Sequence, residues 1–376
     1  MSNPNVSIIT TDVDFPMQKK VDLMIGSDSL SLLNEWLLKQ PCDAVFVLVD
    51  SNTKEHCLPL LLRMIPSFSE SVTVIEIPNG EQSKSFETVM IVSRKLLEKC
   101  ASRHALLLNL GGGVLTDLGG FVASIYKRGI GFVQIPTTLL AQVDASVGGK
   151  TGIDFEHVKN TIGTFAVPNA VFIDTRFLET LSDRELKSGF AEMVKHGLIL
   201  DDAFYNELKM ITPSQVTPKV IEHSVKLKNL IVSQDPRETG KERKALNFGH
   251  TIGHAIESMF METWCPLLHG EAVVAGMICE SYLSHRHSGL SKNELDDIRT
   301  FLTSRYDMAL YDLSVLNEEN DNYVLHFIRN DKKSKGGSIS FSLINRIGKF
   351  VTDCVCSDVS VKESLDFLRK KVIKRW

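Results

Sequence analysis

From about residue 21 to residue 174, short apolar runs alternate with stretches whose apolar residues recur every three or four positions. The runs at 44–50 (AVFVLVD), 72–77 and 105–110 are short and mostly apolar, so they predict buried strands. Residues 84–99 and 115–126 carry the helical period between and after them. Strands alternating with helices are the mark of parallel strands joined by crossover helices, so this half predicts an α/β Rossmann-like domain with a parallel sheet. Beyond residue 174 the pattern lengthens into amphipathic stretches at 183–200, 218–233, 249–261 and 270–285, which predict a mostly α-helical domain. Pro168 and Asn169 precede the last strand-like run and helices begin near Ser182, which sets the boundary at Thr175. The expected domains are therefore residues 1–175 and 176–376, with no internal repeat and no Pro-rich linker.

Composition changes this picture little. The chain has 376 residues, 43% hydrophobic and 23% charged, which is ordinary for a globular protein. A formal net charge of −4 argues against a nucleic-acid partner. The seven cysteines are scattered and form no C-x-x-C pair, as in a reducing compartment. The first residues lack the pattern of a signal peptide, and no apolar run reaches membrane-spanning length. The expectation is a cytoplasmic protein without a membrane partner.

Candidate chemistry sits at the strand ends. Residues 109–117 read NLGGGVLTD, a strand running through three glycines into a helix. Such a turn lets the backbone approach a pyrophosphate, whose charge the helix N-terminus favours. Asp50 closes the first strong strand, where ribose-binding carboxylates sit. NGEQSK closes the next strand region, and Pro136-Thr137-Thr138 ends another. Residues 148–151 (GGKT) look like the end of a P-loop, yet Asp144 stands where its first glycine belongs and no helix follows, so a triphosphatase is rejected. Asp144 and Lys150 instead predict a carboxylate and a cation on a flexible, glycine-rich loop facing an anionic substrate.

In the second half, GHTIGHAIE places His250 and His254 four apart, on one face of a helix. A zinc protease needs Glu after the first His, and Thr251 is there. His269 lies in LLHGEA at the start of another helix, and Glu192 lies in AEMVKHG with Lys195 and His196 three and four residues on. Two imidazoles and a carboxylate would make a three-ligand metal site with positions left open. Spacing leaves undecided whether His254 or His269 completes it. Lys195, Lys228, Arg243 and the Asp331-Lys332-Lys333 stretch predict phosphate and carboxylate binding, whereas Lys226 reads as a solvated lysine.

Together NGEQSK, GGGVLTDLGGF, PTTLLAQVDASVGGKTGI, KNTIGTF, AEMVKHG, LNFGHTIGHAIE and LLHGEA run in order from about residue 79 to residue 333. The chain thereby resembles the dehydroquinate synthase family of sugar-phosphate cyclases. The resemblance implies Glu192, His250 and His269 as ligands of one divalent metal, zinc or cobalt, with His254 on the substrate. It implies NAD contacts from Asp50, from Asn79, Gly80, Glu81, Gln82, Ser83 and Lys84, and from Gly113, Val114, Leu115, Thr116 and Asp117. Thr137, Thr138, Lys150, Lys159 and the turn of Phe177, Leu178, Glu179 and Thr180 complete that set. Implied substrate contacts are Asp144, Lys150, Asn160, Lys195, Lys228, Arg243, Asn247, His254 and one of Lys332 or Lys333. Arg128, in YKRG, resembles a residue that reaches the partner subunit's site in family homodimers.

The implied reaction converts 3-deoxy-arabino-heptulosonate 7-phosphate to 3-dehydroquinate and phosphate, the second step of the shikimate pathway toward chorismate. NAD is reduced and reoxidised within each turnover, around phosphate elimination, ring opening and aldol closure. One departure stands out: between Lys228 and Asn247 the chain is one residue longer than the family spacing. Three rival readings are a cyclase of another sugar phosphate, such as an epi-valiolone or deoxy-inosose synthase, a metal-dependent polyol dehydrogenase, and a nucleotide-binding regulatory module that kept the fold, which the intact metal ligands and glycine cluster argue against. Asp144, Asn247, His254 and the intact GGKTGI favour the dehydroquinate type.

Overall fold

The computed structural model describes residues 5–13, 19–156, 158–261, 263–312, 314–331 and 339–373. It divides into two compact units, Met1–Ser182 with Val216–Pro236, and Asp183–Gln215 with Arg237–Trp376.

In the first unit the strands are β1 (Val6–Val13), β2 (Lys19–Gly26), β3 (Val45–Asp50), β4 (Thr73–Ile77), β5 (Leu106–Gly111), β6 (Gly131–Pro136), β7 (Lys150–Phe155), β8 (Val158–Phe165) and β9 (Ala170–Asp174). Seven of them form one sheet in the order β1-β2-β9-β6-β5-β3-β4. Only the β1–β2 pair is antiparallel; every other pairing in the sheet is parallel. Its helices include α1 (Leu33–Leu38), α2 (Ser51–His56), α3 (Leu58–Met64), α4 (Phe86–Glu98) and α5 (Gly113–Ile125).

Alternate residues of each strand feed two cores, as the twofold period of a strand requires. Val45, Val47, Val49, Leu108, Leu110 and Phe172 pack on one face with Leu58 and Leu61 of α3. Phe46, Leu48, Leu107 and Phe132 pack on the other with Val92 and Leu96 of α4 and Leu118 and Val122 of α5. Every residue of β5 is buried, Asn109 included, as its mostly apolar run predicts, whereas β4 lies at the sheet edge and exposes Val74 and Glu76. Each fully buried aliphatic side chain contributes about 1.5–3 kcal/mol.

One expectation needs correction in this unit. Asp144 lies in a π-helical turn, Ala141–Ala145, and Lys150 opens β7, so ordered backbone replaces the expected flexible loop. β7 and β8 form an antiparallel hairpin in which Gly152 and Gly163 meet; a Cβ on Gly163 would stand 2.3 Å from the Thr151 carbonyl oxygen.

The second unit begins with α6 (Asp183–Leu200) and α7 (Asp202–Lys209). The chain then returns to the first unit for α8 (Pro218–Gln234), which packs on β1, β2 and the π-helical turn. The amphipathic period of α8 had placed it with the second domain. Periodicity shows that a helix has a buried face but not which core covers it. Within the first unit Ser7 Oγ donates to Glu222 Oε2 of this helix at 2.7 Å.

The remaining elements of the second unit are α9 (His250–Phe260), α10 (His269–His287), α11 (Lys292–Arg305), α12 (Asp321–Asp331), the hairpin of β10 (Ile339–Arg346) and β11 (Lys349–Cys356), and α13 (Asp358–Lys371). From residue 270 to residue 284, α10 is buried everywhere except at Tyr282, as befits the central helix. α6, α9, α11 and α13 pack around it. The unit is helical as expected, apart from the hairpin.

Candidate active site

In the first unit, β5 ends at Gly111 and α5 begins at Gly113. Its N-cap, Gly112, offers no side-chain cap, so the amides of the first turn remain open to an anion. Thr137 donates its backbone N–H to the Gly111 carbonyl at 3.0 Å, and Thr138 Oγ1 accepts from Ala141 N–H at 3.1 Å. A buried relay ties the helix to the sheet: Asn109 Nδ2 donates to Gln134 Oε1 at 3.1 Å, and Gln134 Nε2 to the Thr116 carbonyl at 2.9 Å. Leu115 and Thr116 face the interior, while Gly113 and Val114 are half-buried.

Asp50 is held in a capping box: its Oδ1 accepts from Thr53 N–H at 2.7 Å while its own N–H donates to Thr53 Oγ1 at 2.9 Å. Asn79, Gly80, Glu81 and Gln82 are exposed, and Ser83 turns inward to donate to the Pro78 carbonyl at 2.7 Å. Lys84 is buried, pairs with Asp117 at 2.7 Å and also donates to Asn160 Oδ1. Burial alone would discharge this lysine, but Asp117 and Glu81 outweigh it and hold the cation with a raised pKa. Asn160 N–H donates to Asp154 Oδ1 at 2.7 Å, and Lys159 pairs with Glu81 at 3.4 Å. Three segments singled out separately in the sequence thus meet in one charged network. Lys228 Nζ donates to both the carbonyl oxygen and Oδ1 of Asp144, each at 2.7 Å.

The turn Thr175–Thr180 sends Phe177 into the core and leaves Glu179 and Thr180 exposed. Lys150 and Arg128 are exposed, and Lys127 and Arg128 adopt left-handed backbone with φ of 49° and 68°. Lys226 is exposed and pairs with Glu222 at 2.6 Å.

In the second unit three helices bring a carboxylate and three imidazoles together. Glu192 on α6 is fully buried, and its Oε1 stands 3.3 Å from His250 Nε2 and 3.6 Å from His269 Nε2. Its Oε2 faces the buried ammonium of Lys195, one helical turn on. Oε1, by contrast, is buried and makes no hydrogen bond among the described residues. The ligand atoms of His250, His254 and His269 lie within 4.8 Å of one another. Outer contacts aim two of the rings: His250 Nδ1 stands 3.2 Å from the Phe248 carbonyl, and His269 Nδ1 stands 3.4 Å from Glu257 Oε2.

Glycines permit this convergence. A Cβ on Gly270 would lie 2.1 Å from the Ser188 carbonyl oxygen, so only glycine lets the first turn of α10 approach α6 and set His269 beside Glu192. A Cβ on Gly276 would lie 1.8 Å from the Gly249 oxygen, at the contact of α9 with α10. Arg184 of α6 grips Glu271 of α10 with two bonds of 2.7 Å.

Electrostatics complete the preparation. Burial would raise the Glu192 pKa, but Lys195, His250 and His269 hold it well below the usual carboxylate range. Burial and the Lys195 cation keep His250 neutral. Burial would also lower His269, yet Glu257 and Glu192 bring it up to about 10. An ionised carboxylate and the neutral His250 are ready donors for a divalent cation, and His269 joins them by releasing its proton when the cation binds.

Beside this cluster, Arg243 is buried in the turn Arg243–Asn247, and Asn247 Nδ2 donates to Glu238 Oε1 at 3.4 Å. Lys332 and Lys333 lie outside the described residues. Glu257 escaped sequence reasoning although GHTIGHAIE contains it, three residues after His254 and seven after His250, on the same helical face.

Residues 74–188 match the family described as 3-dehydroquinate synthase N-terminal, and residues 189–334 the one described as 3-dehydroquinate synthase C-terminal. The 3-dehydroquinate synthase of Parabacteroides distasonis is 40% identical over 93% of this chain and 98% of its own length. The chain belongs to the 3-dehydroquinate synthase family. That of Nitrobacter hamburgensis is 36% identical over 99% of each chain. Membership makes the protein an enzyme, a carbon–oxygen lyase. Among solved structures, 2-epi-5-epi-valiolone synthase from Streptomyces hygroscopicus subsp. jinggangensis, with NAD+ and Zn2+ bound, has a TM-score of 0.80 at 25% identity, covering 93% of this chain and 97% of that one. A 2-deoxy-scyllo-inosose synthase complexed with carbaglucose-6-phosphate, NAD+ and Co2+ shares the fold, with a TM-score of 0.82 at 23% identity, over 96% of this chain and 99% of that one. Among the described residues, no helix is long and apolar enough to cross a membrane.

Proposed function

We propose that Glu192, His250 and His269 hold one divalent cation, zinc or cobalt, in the family's reaction. The chain converts 3-deoxy-arabino-heptulosonate 7-phosphate to 3-dehydroquinate and phosphate, a step toward chorismate. The observation that carries the metal reading is the fully buried Glu192 carboxylate, one oxygen of which is held by Lys195 while the other makes no hydrogen bond and faces two oriented Nε2 atoms. When bound, the cation would acidify the substrate hydroxyl to be oxidised, and NAD would supply reversible hydride transfer.

The chain's own groups do the rest. His254 shares a face of α9 with His250 and presents a ring nitrogen to the same space, where it relays the hydroxyl proton. The Lys195 ammonium, fixed against Glu192, orients that hydroxyl. Arg243 and Asn247 hold anionic and hydroxyl groups of the substrate from their turn. In the first unit, Asp144, held by Lys228, joins Lys150 and Asn160 as substrate contacts. The open first turn of α5 binds the pyrophosphate of NAD, with Val114 through Asp117 lining it and Asp50 on a ribose. Asn79 through Lys84, Thr137, Thr138, Lys150, Lys159 and the turn from Phe177 to Thr180 complete the NAD contacts.

The protein works as a homodimer. Phe86, Met90 and Leu97 form an exposed stripe on α4, with the exposed Phe155 of the β7–β8 hairpin against Phe86, and an apolar face of this kind marks an interface. Arg128 then reaches toward the partner subunit. The seven free cysteines fit a reducing cytoplasm.

Phosphate release from the heptulosonate phosphate tests the reading. It should require NAD, stop with a chelator and return with zinc or cobalt, while no reduced nicotinamide accumulates. Stoichiometric accumulation of reduced nicotinamide would assign a polyol dehydrogenase instead. Light scattering at the dimer mass checks the assembly; a monomer at working concentration refutes it.

A further inference from the structure

Helix α9 carries His250 and His254 in its first two turns but cannot cap itself. Its N-cap is Gly249, in left-handed backbone at φ 80°, and its third residue is Ile252, so neither has a polar side chain for the capping box that usually closes a first turn. The amides that such a box would satisfy are taken by one side chain from another helix. Glu280 of α10, fully buried, accepts from Gly249 N–H through Oε2 at 2.7 Å and from Ile252 N–H through Oε1 at 3.0 Å. Its negative charge also lies at the positive end of the α9 dipole. The approach depends on Gly276, one turn earlier on α10, where any Cβ would strike the Gly249 oxygen.

We infer that Glu280 is a positioning residue for the metal site: a buried carboxylate on α10 that substitutes for the missing N-cap of α9 and fixes the direction in which His250 and His254 leave it. The inference rests on the metal reading above. Glu280 touches neither cation nor substrate; its effect passes through the backbone of residues 249–252.

The test compares zinc affinity, the visible spectrum of the cobalt-loaded protein and melting temperature in three variants. Glu280→Gln keeps the shape but turns an amide donor toward one of the two N–H groups. It should weaken zinc binding about 10- to 100-fold and change the cobalt spectrum. Asp321→Asn, which breaks the buried pair with Arg369 in the same unit, should lower the melting temperature with zinc affinity unchanged. His269→Ala should lose the metal outright, and retention there refutes the metal reading rather than the role of Glu280. Wild-type affinity and spectrum in Glu280→Gln, or equal weakening in Asp321→Asn, overturns the inference. If Glu280→Gln does not fold, hydrogen exchange in the wild-type protein decides: slow exchange at Gly249 and Ile252 is expected, and fast exchange at both contradicts it.

Discussion

The two candidate sites are built in opposite ways. Around α5 the first unit offers mainly backbone: three glycines and an uncapped helix N-terminus, while nearby side chains are engaged with one another, as Lys84 is with Asp117. In the second unit the working atoms belong to side chains, and backbone serves to place them: glycines let α6, α9 and α10 converge on Glu192, and the Phe248 carbonyl aims His250. A dinucleotide presents a pyrophosphate that amides can hold, whereas a cation needs fixed lone pairs. The ligand's chemistry therefore decides which part of the chain is vulnerable to substitution.

That contrast can be pressed hardest at the imidazoles. His269→Ala should lower turnover more than about a hundredfold, because the cation provides the dominant electrostatic stabilisation. His254→Ala should slow turnover about 10²- to 10⁴-fold through the lost proton relay while the metal stays bound. Steady-state kinetics with metal analysis separate the two.

Glycine substitutions then compare the units directly. Gly270→Ala forces a Cβ onto the Ser188 backbone and should cost about 1–3 kcal/mol in denaturant unfolding, with weakened zinc binding. Gly113→Ala meets only the Ala145 Cβ, at 3.7 Å, so stability should change by less than about 1 kcal/mol. Its effect should appear in calorimetry as weaker NAD binding. An equal loss of stability in both variants would erase the distinction between the units. Smallest of all, Asp50→Asn keeps a competent cap and should alter stability by a few tenths of a kcal/mol at most, about the range in which Asn and Asp are interchangeable at an N-cap. A reduced NAD affinity in that variant would place its carboxylate on the ribose.

Much of this was legible in the sequence because the physics was local. The mostly apolar run of β5 and the period of α5 follow from burial of both sheet faces, and GHTIGHAIE puts two imidazoles on one face of a helix by geometry alone. What stayed hidden was long-range. Nothing near Pro218–Gln234 reveals that α8 joins the first unit, and nothing in residues 150–165 reports a hairpin until Gly152 is seen against Gly163. The choice between His254 and His269 was not local either, since it depends on how α10 meets α6. The side chains that aim others, Glu257 and Glu280, act across helices, and periodicity shows only that they lie on a packed face.

The central claim is that Glu192, His250 and His269, and not His254, hold the cation. The direct measurement is the metal-to-protein ratio of His269→Ala and His254→Ala, purified side by side from zinc-supplemented cultures. The account predicts loss of zinc from the first and a ratio near one in the second; zinc retained by His269→Ala and lost from His254→Ala would contradict it.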